Sequence, residues 1–328
     1  MGLKEYIGRR TLQGITTVLL AIVLNFIIFR IMPGDPTRVL VGDPRVETET
    51  RLALIEKFGL ERPLLEQFFL YFYNLFRGEL GVSFTQIGRP VTEIILGRKM
   101  VNTLVLMGSS MSIAFLLGIV FGVIAAWKRG TKADISFIIF SLATYSMPVF
   151  WFGMILLLVF SVYFNVFPIA GTITPGVVHP NFLSYASDYL HHLMAPMITL
   201  AVSFFGGYFL FIRDTILDVF TEDYMLTARA KGLSNRKVLF KHAMRNALLP
   251  MVSLMGVHVT FLISGATMTE TVFSWDGLGR LIYDSVRMAD YPVLQGIFLI
   301  MSILVVVASI LADITNAILD PRIREAVD

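Results

Sequence analysis

The side chains that could do chemistry in this chain are few and scattered. Imidazoles come from His179, His191, His192, His242 and His258. His258 with Ser109, Ser110, Ser112 or Ser253 is the only raw material for a nucleophile and base within apolar runs. Serines in such runs usually serve helix packing. His191 and His192 are adjacent, and adjacent residues on a helix do not face one direction, which makes a poor metal clamp. The H-E-x-x-H pairing that sets two histidines one helical turn apart is absent. So is the G-x-x-x-x-G-K-[ST] loop that cradles nucleotide phosphates. The chain has no cysteine, which excludes disulfides, thiol catalysis and cysteine metal sites. Glu270 and Asp313 both fall at predicted ends of apolar runs, where water is near, and no close carboxylate pair suggests a proton relay. The expectation is no catalytic residue, no metal and no cofactor bound by this chain.

The elements that would position these residues belong in a membrane. Of 328 residues, 55% are hydrophobic and only 16% are charged, against roughly 25% charged in soluble domains. A spanning helix needs about 20 mostly apolar residues to cross about 30 Å of hydrocarbon. Six segments qualify: 12–31, 101–126, 135–164, 193–212, 247–269 and 292–312. Barrel strands alternate in polarity, and these runs are continuous. In the first span, Arg30 can snorkel and Asn25 reads as interhelical glue. The third contains Tyr145-Ser146-Met147-Pro148, where the proline removes a backbone donor and kinks the helix. Ser146, Met147 and Pro148 are candidates for packing or for lining a pathway. His258, within the fifth span, is a candidate for an interhelical hydrogen bond or for the pathway.

Lysine and arginine orient the spans. With the N-terminus inside, the inner segments carry Lys4, Arg9 and Arg10; Lys128, Arg129 and Lys132; Arg213, Arg229, Lys231, Arg236, Lys237, Lys241 and Arg245; and Arg322 and Arg324. The outer loop 165–192 carries none, and 270–291 carries only Arg280 and Arg287. Segment 32–100 has nine basic and nine acidic residues, but long loops cross largely regardless of charge. Both termini are expected in the cytoplasm. The opening MGLKEYIGRR and its apolar run resemble a signal peptide, yet no small-residue cleavage site follows, so the run reads as a retained span. Three regions result: 1–31, the inner end and span 1; 32–100, an outer helical segment; and 101–328, the core with the inner loop 213–246.

The outer segment opens with Pro33-Gly34-Asp35-Pro36, a turn cluster. Helices are expected over 47–58, closed by Gly59, and over 63–76, closed by Gly78. The aromatics of the second suit a membrane interface. The segment reads as a cap on the outer ends of the spans, or as a contact for a partner or substrate. The inner stretch 222–250, EDYMLTARAKGLSNRKVLFKHAMRNALLP, is polar, basic and helix-prone. One short helix is expected over 223–231. Gly232 stops it in the left-handed conformation of a helix end, and Ser234 caps a second helix running to Ala247 and Pro250. Such a hairpin suits transmitting movement from a soluble partner rather than chemistry. With no nucleotide site, the chain is a passive pore or is driven by an associated motor, and the hairpin favours the motor.

That hairpin resembles the coupling loop of membrane subunits in binding-protein-dependent ABC importers. Other stretches are similar to the dipeptide, oligopeptide and nickel permease group, in particular the first, or "B", membrane subunit of dipeptide permeases. They are IGRR at 7–10, IMPGDP at 31–36, FGLERPLLEQ at 58–67, GELGVSF at 78–84 and YSMPVFWFGM at 145–154. They continue with EDYMLTARAKGL at 222–233, HAMRNALLP at 242–250, TETVFSWDGLGR at 269–280, DYPVLQG at 290–296 and DPRIR at 320–324. The general loop consensus of these importers has a glutamate where Leu226 stands and a proline where Arg245 stands. Both departures fit the peptide group, which commonly reads T-A-R-A-K-G and R-N there. Asp276 replaces a proline common among relatives.

The resemblance implies an all-α integral membrane protein of the type I importer permease fold, with six transmembrane helices and a helical extracytoplasmic segment. It implies one half of a translocation pathway in a bacterial or archaeal cytoplasmic membrane. The implied partners are a second homologous permease subunit, two ATPase subunits that hold ATP and magnesium, and an extracytoplasmic solute-binding protein. No nucleic-acid partner is expected. By matching position, Asp223, Tyr224, Thr227, Ala228, Arg229, Ala230, Lys231 and Gly232 would couple to an ATPase. Phe273, Trp275, Gly277, Gly279 and Arg280 would belong to the outer gate near the binding protein. Di- and oligopeptides are the default cargo; nickel complexes, glutathione-like compounds and oligosaccharides are carried by the same machinery. A secondary transporter or channel would show helix breaks in matching halves, and no convincing pair is present. An intramembrane enzyme would need the facing catalytic groups found wanting above.

Overall fold

A computed structural model of the chain describes residues 3–31, 62–86, 88–244, 247, 250 and 266–319. Their regular structure is helical, apart from an isolated bridge between Val82 and Pro90. Four helices are long and apolar enough to cross a membrane, within Lys4–Phe29, Val91–Trp127, Phe182–Val219 and Tyr291–Ala317, and a bent pair brings the number up to five. The fifth expected span, 247–269, falls mostly outside the described residues, as do His258, Ser253 and the helix expected over 47–58.

The first and last spans form an antiparallel pair, α1 (Leu3–Ile31) and α12 (Tyr291–Leu319). Arg10 meets Asp313 at 3.4 Å near one end. Near the other, Asn25 Nδ2 donates to the Gln295 carbonyl at 3.0 Å, so Asn25 is the interhelical tie its position suggested. The second helix expected in the 32–100 segment is α2 (Leu64–Phe76), which starts after Pro63 and gives way to Gly78 at φ +74°, as expected. It packs on α1 through Phe68 and Tyr71, whose rings lie 5.2 and 5.7 Å from that of Phe26. A short α3 (Val91–Leu96) leads into α4 (Arg98–Trp127).

The centre of the molecule is the parallel pair of α4 with α7 (Phe182–Val219). Their contact depends on missing side chains. A Cβ at Gly118 would sit 2.7 Å from Tyr208 Cβ, and one at Gly122 would sit 2.7 Å from Ile212 Cγ2. This G-x-x-x-G spacing puts both glycines on one face and lets backbones approach, the main source of helix affinity in lipid. The 38-residue α7 begins earlier than the expected 193 because Asn181 caps it, its Oδ1 accepting the Ser184 N–H at 2.9 Å. Pro196 lies within the helix without ending it.

The third span departs most from expectation. It breaks at Met147-Pro148 into α5 (Lys132–Ser146) and α6 (Val149–Leu156), which continues as a π-helix over Leu157–Tyr163. The two halves are bent by 101°, more than the kink of a single helix. Met147 takes extended backbone, φ −80° and ψ 130°, the region a residue before proline is pushed into. The helix restarts after Pro148, which needs no N–H at a first turn. Ser146 and Pro148 are exposed at the break and Met147 is half-buried.

Antiparallel to α7, α5 touches it where a Cβ at Gly206 would collide with the Ser141 carbonyl oxygen. Gly206→Val should therefore lower membrane accumulation and melting temperature, by about 1–3 kcal/mol as for overpacked cores. Gly108→Ala, where nothing lies within 4 Å, should leave both unchanged. Detergent-solubilised thermal unfolding of the two variants makes the comparison.

Candidate functional site: a basic hairpin and a buried clasp

The basic hairpin forms at the end of α4 and α7. Its first helix is α8 (Asp223–Ala230), with Asp223 in the first turn and Arg229 in the last, as the helix dipole favours. Lys231 is the C-cap, and Gly232 follows at φ +72°, donating to the Arg229 carbonyl at 2.9 Å. Helix and glycine stop thus lie where the spacing put them. The continuation is less regular: α9 (Asn235–Lys237) passes into a π-helix over Val238–Ala243. At its start the Ser234 carbonyl accepts the Val238 N–H at 3.0 Å. An open groove of about 640 Å³ is lined by Ser234, Arg236, Lys237 and Phe240.

Burial divides α8 into two faces. Met225 is fully buried and Ala228 nearly so, in one apolar cluster with Val123 and Ala126 of α4, Ile212 and Ile216 of α7, and Val238 and Leu239. Asp223, Tyr224, Leu226, Thr227, Arg229, Ala230, Lys231 and Gly232 are exposed. Ala228 therefore leaves the set of outward-facing residues, because its methyl seats the helix on its own chain. The Arg229 guanidinium lies 5.8 Å from the centre of the Phe220 ring, which orients it at the surface.

The opposite end of α4 and α7 is closed by a clasp built from the stretch 269–280. Two short helices, α10 (Thr267–Val272) and α11 (Leu278–Arg287), flank a tight loop. Glu270 stands at its centre with no exposed surface, not at a watery span end. One oxygen accepts from Thr103 Oγ1 at 2.8 Å and the other from the Arg280 N–H at 3.0 Å. Burial pushes this carboxyl up from the ordinary glutamate range, while the donors from Arg280, Thr103 and Gly279 pull it down. Thr103 Oγ1 in turn accepts the Leu278 N–H at 2.8 Å. The glycines make room for these bonds: a Cβ at Gly277 would lie 2.6 Å from Thr103 Oγ1, and one at Gly279 would lie 2.7 Å from Thr267 Cα.

Asn102, one residue before Thr103, binds the same loop. Its Nδ2 donates to the Asp276 carbonyl at 2.7 Å, and its own carbonyl accepts Trp275 Nε1 at 3.1 Å. Tyr189 of α7 donates to Asn102 Oδ1 at 3.1 Å. Lys99 pairs with the Asp276 carboxylate. The Phe273 ring enters a cluster with Leu156 and Ala195 and presses on Gly153 of α6, while its carbonyl accepts the Gly171 N–H at 3.0 Å. Phe273, Trp275, Gly277 and Gly279 are thus buried within the chain and offer no contact surface. Arg280 is partly exposed and donates to the Ser274 carbonyl at 2.7 Å.

Beside the clasp, Asp290 is buried and joins two distant stretches. Its carboxylate accepts from Ser83 Oγ, from Thr85 Oγ1 at 2.7 Å and from the Phe84 N–H at 3.1 Å. The stretches 78–84 and 290–296 therefore fold into one corner. Sequence reasoning missed Asn102, Thr103, Glu270 and Asp290 as organising residues. The available signal was polar residues at the edges of apolar runs, read there as simple transitions to water.

The candidate nucleophiles do not assemble among the described residues. Ser109 and Ser110 donate back to the Val105 and Leu106 carbonyls of their own helix at 2.7 and 2.6 Å. His191 lies 2.8 Å from the Val166 carbonyl and His192 Nδ1 lies 2.9 Å from that of Asp188. Both histidines tie the 165–192 region together.

Comparison with known proteins agrees with this geometry. Residues 118–325 match the family described as the binding-protein-dependent transport system inner membrane component, and residues 3–110 match its N-terminal counterpart. An oligopeptide transport system permease protein of Bacillus subtilis (strain 168) is 40% identical over 322 residues, 98% of this chain and 100% of the relative. A di/tripeptide transport system permease protein of Pseudomonas aeruginosa (strain UCBPP-PA14) is 37% identical, covering 98% of both chains. A glutathione transport system permease protein of Escherichia coli O6:H1 is 36% identical over 98% of this chain and 99% of its own. A hairpin with a buried seat and an exposed basic face, on an all-helical membrane chain matched along nearly its whole length, identifies the chain as a member of the binding-protein-dependent transport system inner membrane components, the permease subunits of ABC importers.

Proposed function

We propose that this chain forms one half of the translocation pathway of an ATP-driven peptide importer in a bacterial inner membrane. The observation that carries the proposal is the division of α8 into a buried apolar seat and an exposed polar face. An ATPase subunit receives that face, with Asp223, Tyr224, Thr227, Arg229, Ala230, Lys231 and Gly232 as the docking set. A second permease subunit completes the pathway, a second ATPase completes the motor, and an external solute-binding protein delivers the cargo. The hairpin end and both chain termini face the cytoplasm, in line with the lysine and arginine distribution. ATP is hydrolysed in the partner subunits, not here.

The clasp acts as the outer gate of this half. Because its aromatic and glycine residues are buried, Arg280 and its exposed surroundings meet the binding protein, while Phe273 and Trp275 hold the gate's shape. Ser146, Met147 and Pro148 line the pathway where the broken third span exposes them. Relatives named for oligopeptides and di/tripeptides support a short peptide as cargo. The glutathione relative favours a second reading, a γ-linked tripeptide.

The docking role is tested by purifying the chain with its neighbouring gene products and measuring uptake in proteoliposomes. Reversing charge at Arg229 and Lys231 should cut uptake about tenfold, as a loss of about 1.4 kcal/mol at the docking face would. Unchanged uptake, or no ATPase subunit bound to the native chain, sinks the role. A Cβ at Gly232 meets no neighbour within 4 Å, so the left-handed backbone sets the main cost of Gly232→Val, about 1–2 kcal/mol. Uptake should fall more than membrane insertion, and Gly232→Asn should recover much of it. At the clasp, Glu270→Gln turns an amide N–H₂ toward existing donors. Thermal stability should drop by about 1–3 kcal/mol, and Trp275 fluorescence should shift to the red as water reaches the loop.

A further inference from the structure

We propose that the ion pair between Asp134 and Arg213 positions α5 for transport, carrying movement of the hairpin into the broken third span. The proposal rests on the docking function given above and extends it past the docking face. Asp134 sits in the first turn of α5 and is 2% exposed. Its Oδ1 accepts Arg213 Nε at 2.7 Å and its Oδ2 accepts Arg213 Nη2 at 3.0 Å. The Gly130 N–H adds a bond to Oδ2 at 2.9 Å, and Arg213 Nη1 is engaged by Asp214 at 2.9 Å. A two-point Arg–carboxylate contact fixes orientation as well as distance. It therefore resists rotation of α5 against α7, not only separation.

The location gives the pair its role. Arg213 follows Ile212 and precedes Ile216 on α7, and those two residues help seat Met225 and Ala228 of the hairpin. A push on α8 thus reaches α7 beside the guanidinium. Higher up, α5 and α7 meet again where Gly206 abuts the Ser141 carbonyl. Two contacts about two turns apart make α5 move with α7. That unit ends at Met147-Pro148, where no helical backbone continues. Beyond the break, α6 packs on the clasp through Gly153 against Phe273, and the same glycine meets Thr199 of α7. Among the described residues, the break between α5 and α6 is where displacement of α8 is absorbed, opening or closing against a gate held by Glu270. Hinges of this kind are a few residues at element ends that absorb the backbone change. Contiguity alone does not establish transmission, so the test must measure movement.

Because the chain lacks cysteine, spin labels can be placed at chosen positions on it, within a complex whose partner subunits have been made cysteine-free. One pair, Ser136→Cys with Asp218→Cys, spans α5 and α7. A second, Ser136→Cys with Tyr163→Cys, spans the break. Electron–electron distance measurements, without nucleotide and with ATP, should show the first distance constant and the second changed. A first distance that changes with ATP overturns the proposal, as does a second that stays constant. Arg213→Gln should broaden the first distance and lower uptake at least about fivefold, the lower range of coupling effects, while ATP hydrolysis continues. The exchange Asp134→Arg with Arg213→Asp should restore both. If uptake and hydrolysis instead fall together with the amount of complex in the membrane, the pair is only a staple. If Arg213→Gln does not accumulate, the two labelled pairs in the native background still decide the matter. Absence of ATPase subunits from the purified complex overturns the docking function, and this proposal with it.

Discussion

Lipid gives apolar side chains nothing to gain by leaving it for one another, so helices in a bilayer need another reason to touch. Close backbone approach and internally satisfied polar groups supply it. In this chain the first is met by Gly118 and Gly122, whose missing side chains let α4 lie directly on α7. Gly206 does the same between α7 and α5. The second is met at the helix ends, where Glu270, Asp290, Asn102 and Asp134 each find donors or acceptors from distant parts of the chain. Remove the close contact along α4 and α7, and the polar groups at either end lose the frame that lets them meet.

The same pair of helices connects the hairpin and the clasp, the two candidate functional ends. Thr103 and Asn102 of α4 hold the clasp, and Val123 and Ala126 of the same helix seat α8. Tyr189 and Ile212 play the matching parts on α7. Each helix is unbroken between these contacts, at 30 and 38 residues. Among the described residues the third span is the exception, broken at Met147-Pro148. An importer of this family must change access between two faces without exposing polar backbone to lipid. A frame of close-packed helices with a break at Met147-Pro148 is compatible with that need.

Several features were legible because local chemistry decides them. A glycine must follow α8 because only a left-handed residue closes the turn there, and Gly232 has φ +72°. Pro63, Gly78 and the apolar run between them bound α2. Asn25 bonds across to α12 because a polar group at that depth has no water. Other readings failed for want of the third dimension. Glu270 was placed near water because it ends an apolar run, yet α4 and α11 close over it. Phe273, Trp275 and the two glycines belong to a segment singled out by its sequence, but the faces they turn to the protein depend on Asn102, about 170 residues away. Ala228 lies in the right helix and on its inner face. The 101° break could be foreseen as a disturbance at Pro148 but not in its size, which depends on the packing of α6 against Phe273.

By itself the sequence determined the membrane class, where the long apolar helices among the described residues lie, the basic hairpin and its glycine stop, and the absence of a nucleotide loop or thiol chemistry. These follow from hydropathy, charge and backbone preference, which act over a few residues at a time. Only the tertiary structure decided which polar residues are partners: Glu270 with Thr103, Asp290 with Ser83, Asp134 with Arg213. A buried carboxylate is tolerated only where donors converge on it. Convergence across tens to hundreds of residues is a property of how the helices pack, which no local pattern encodes.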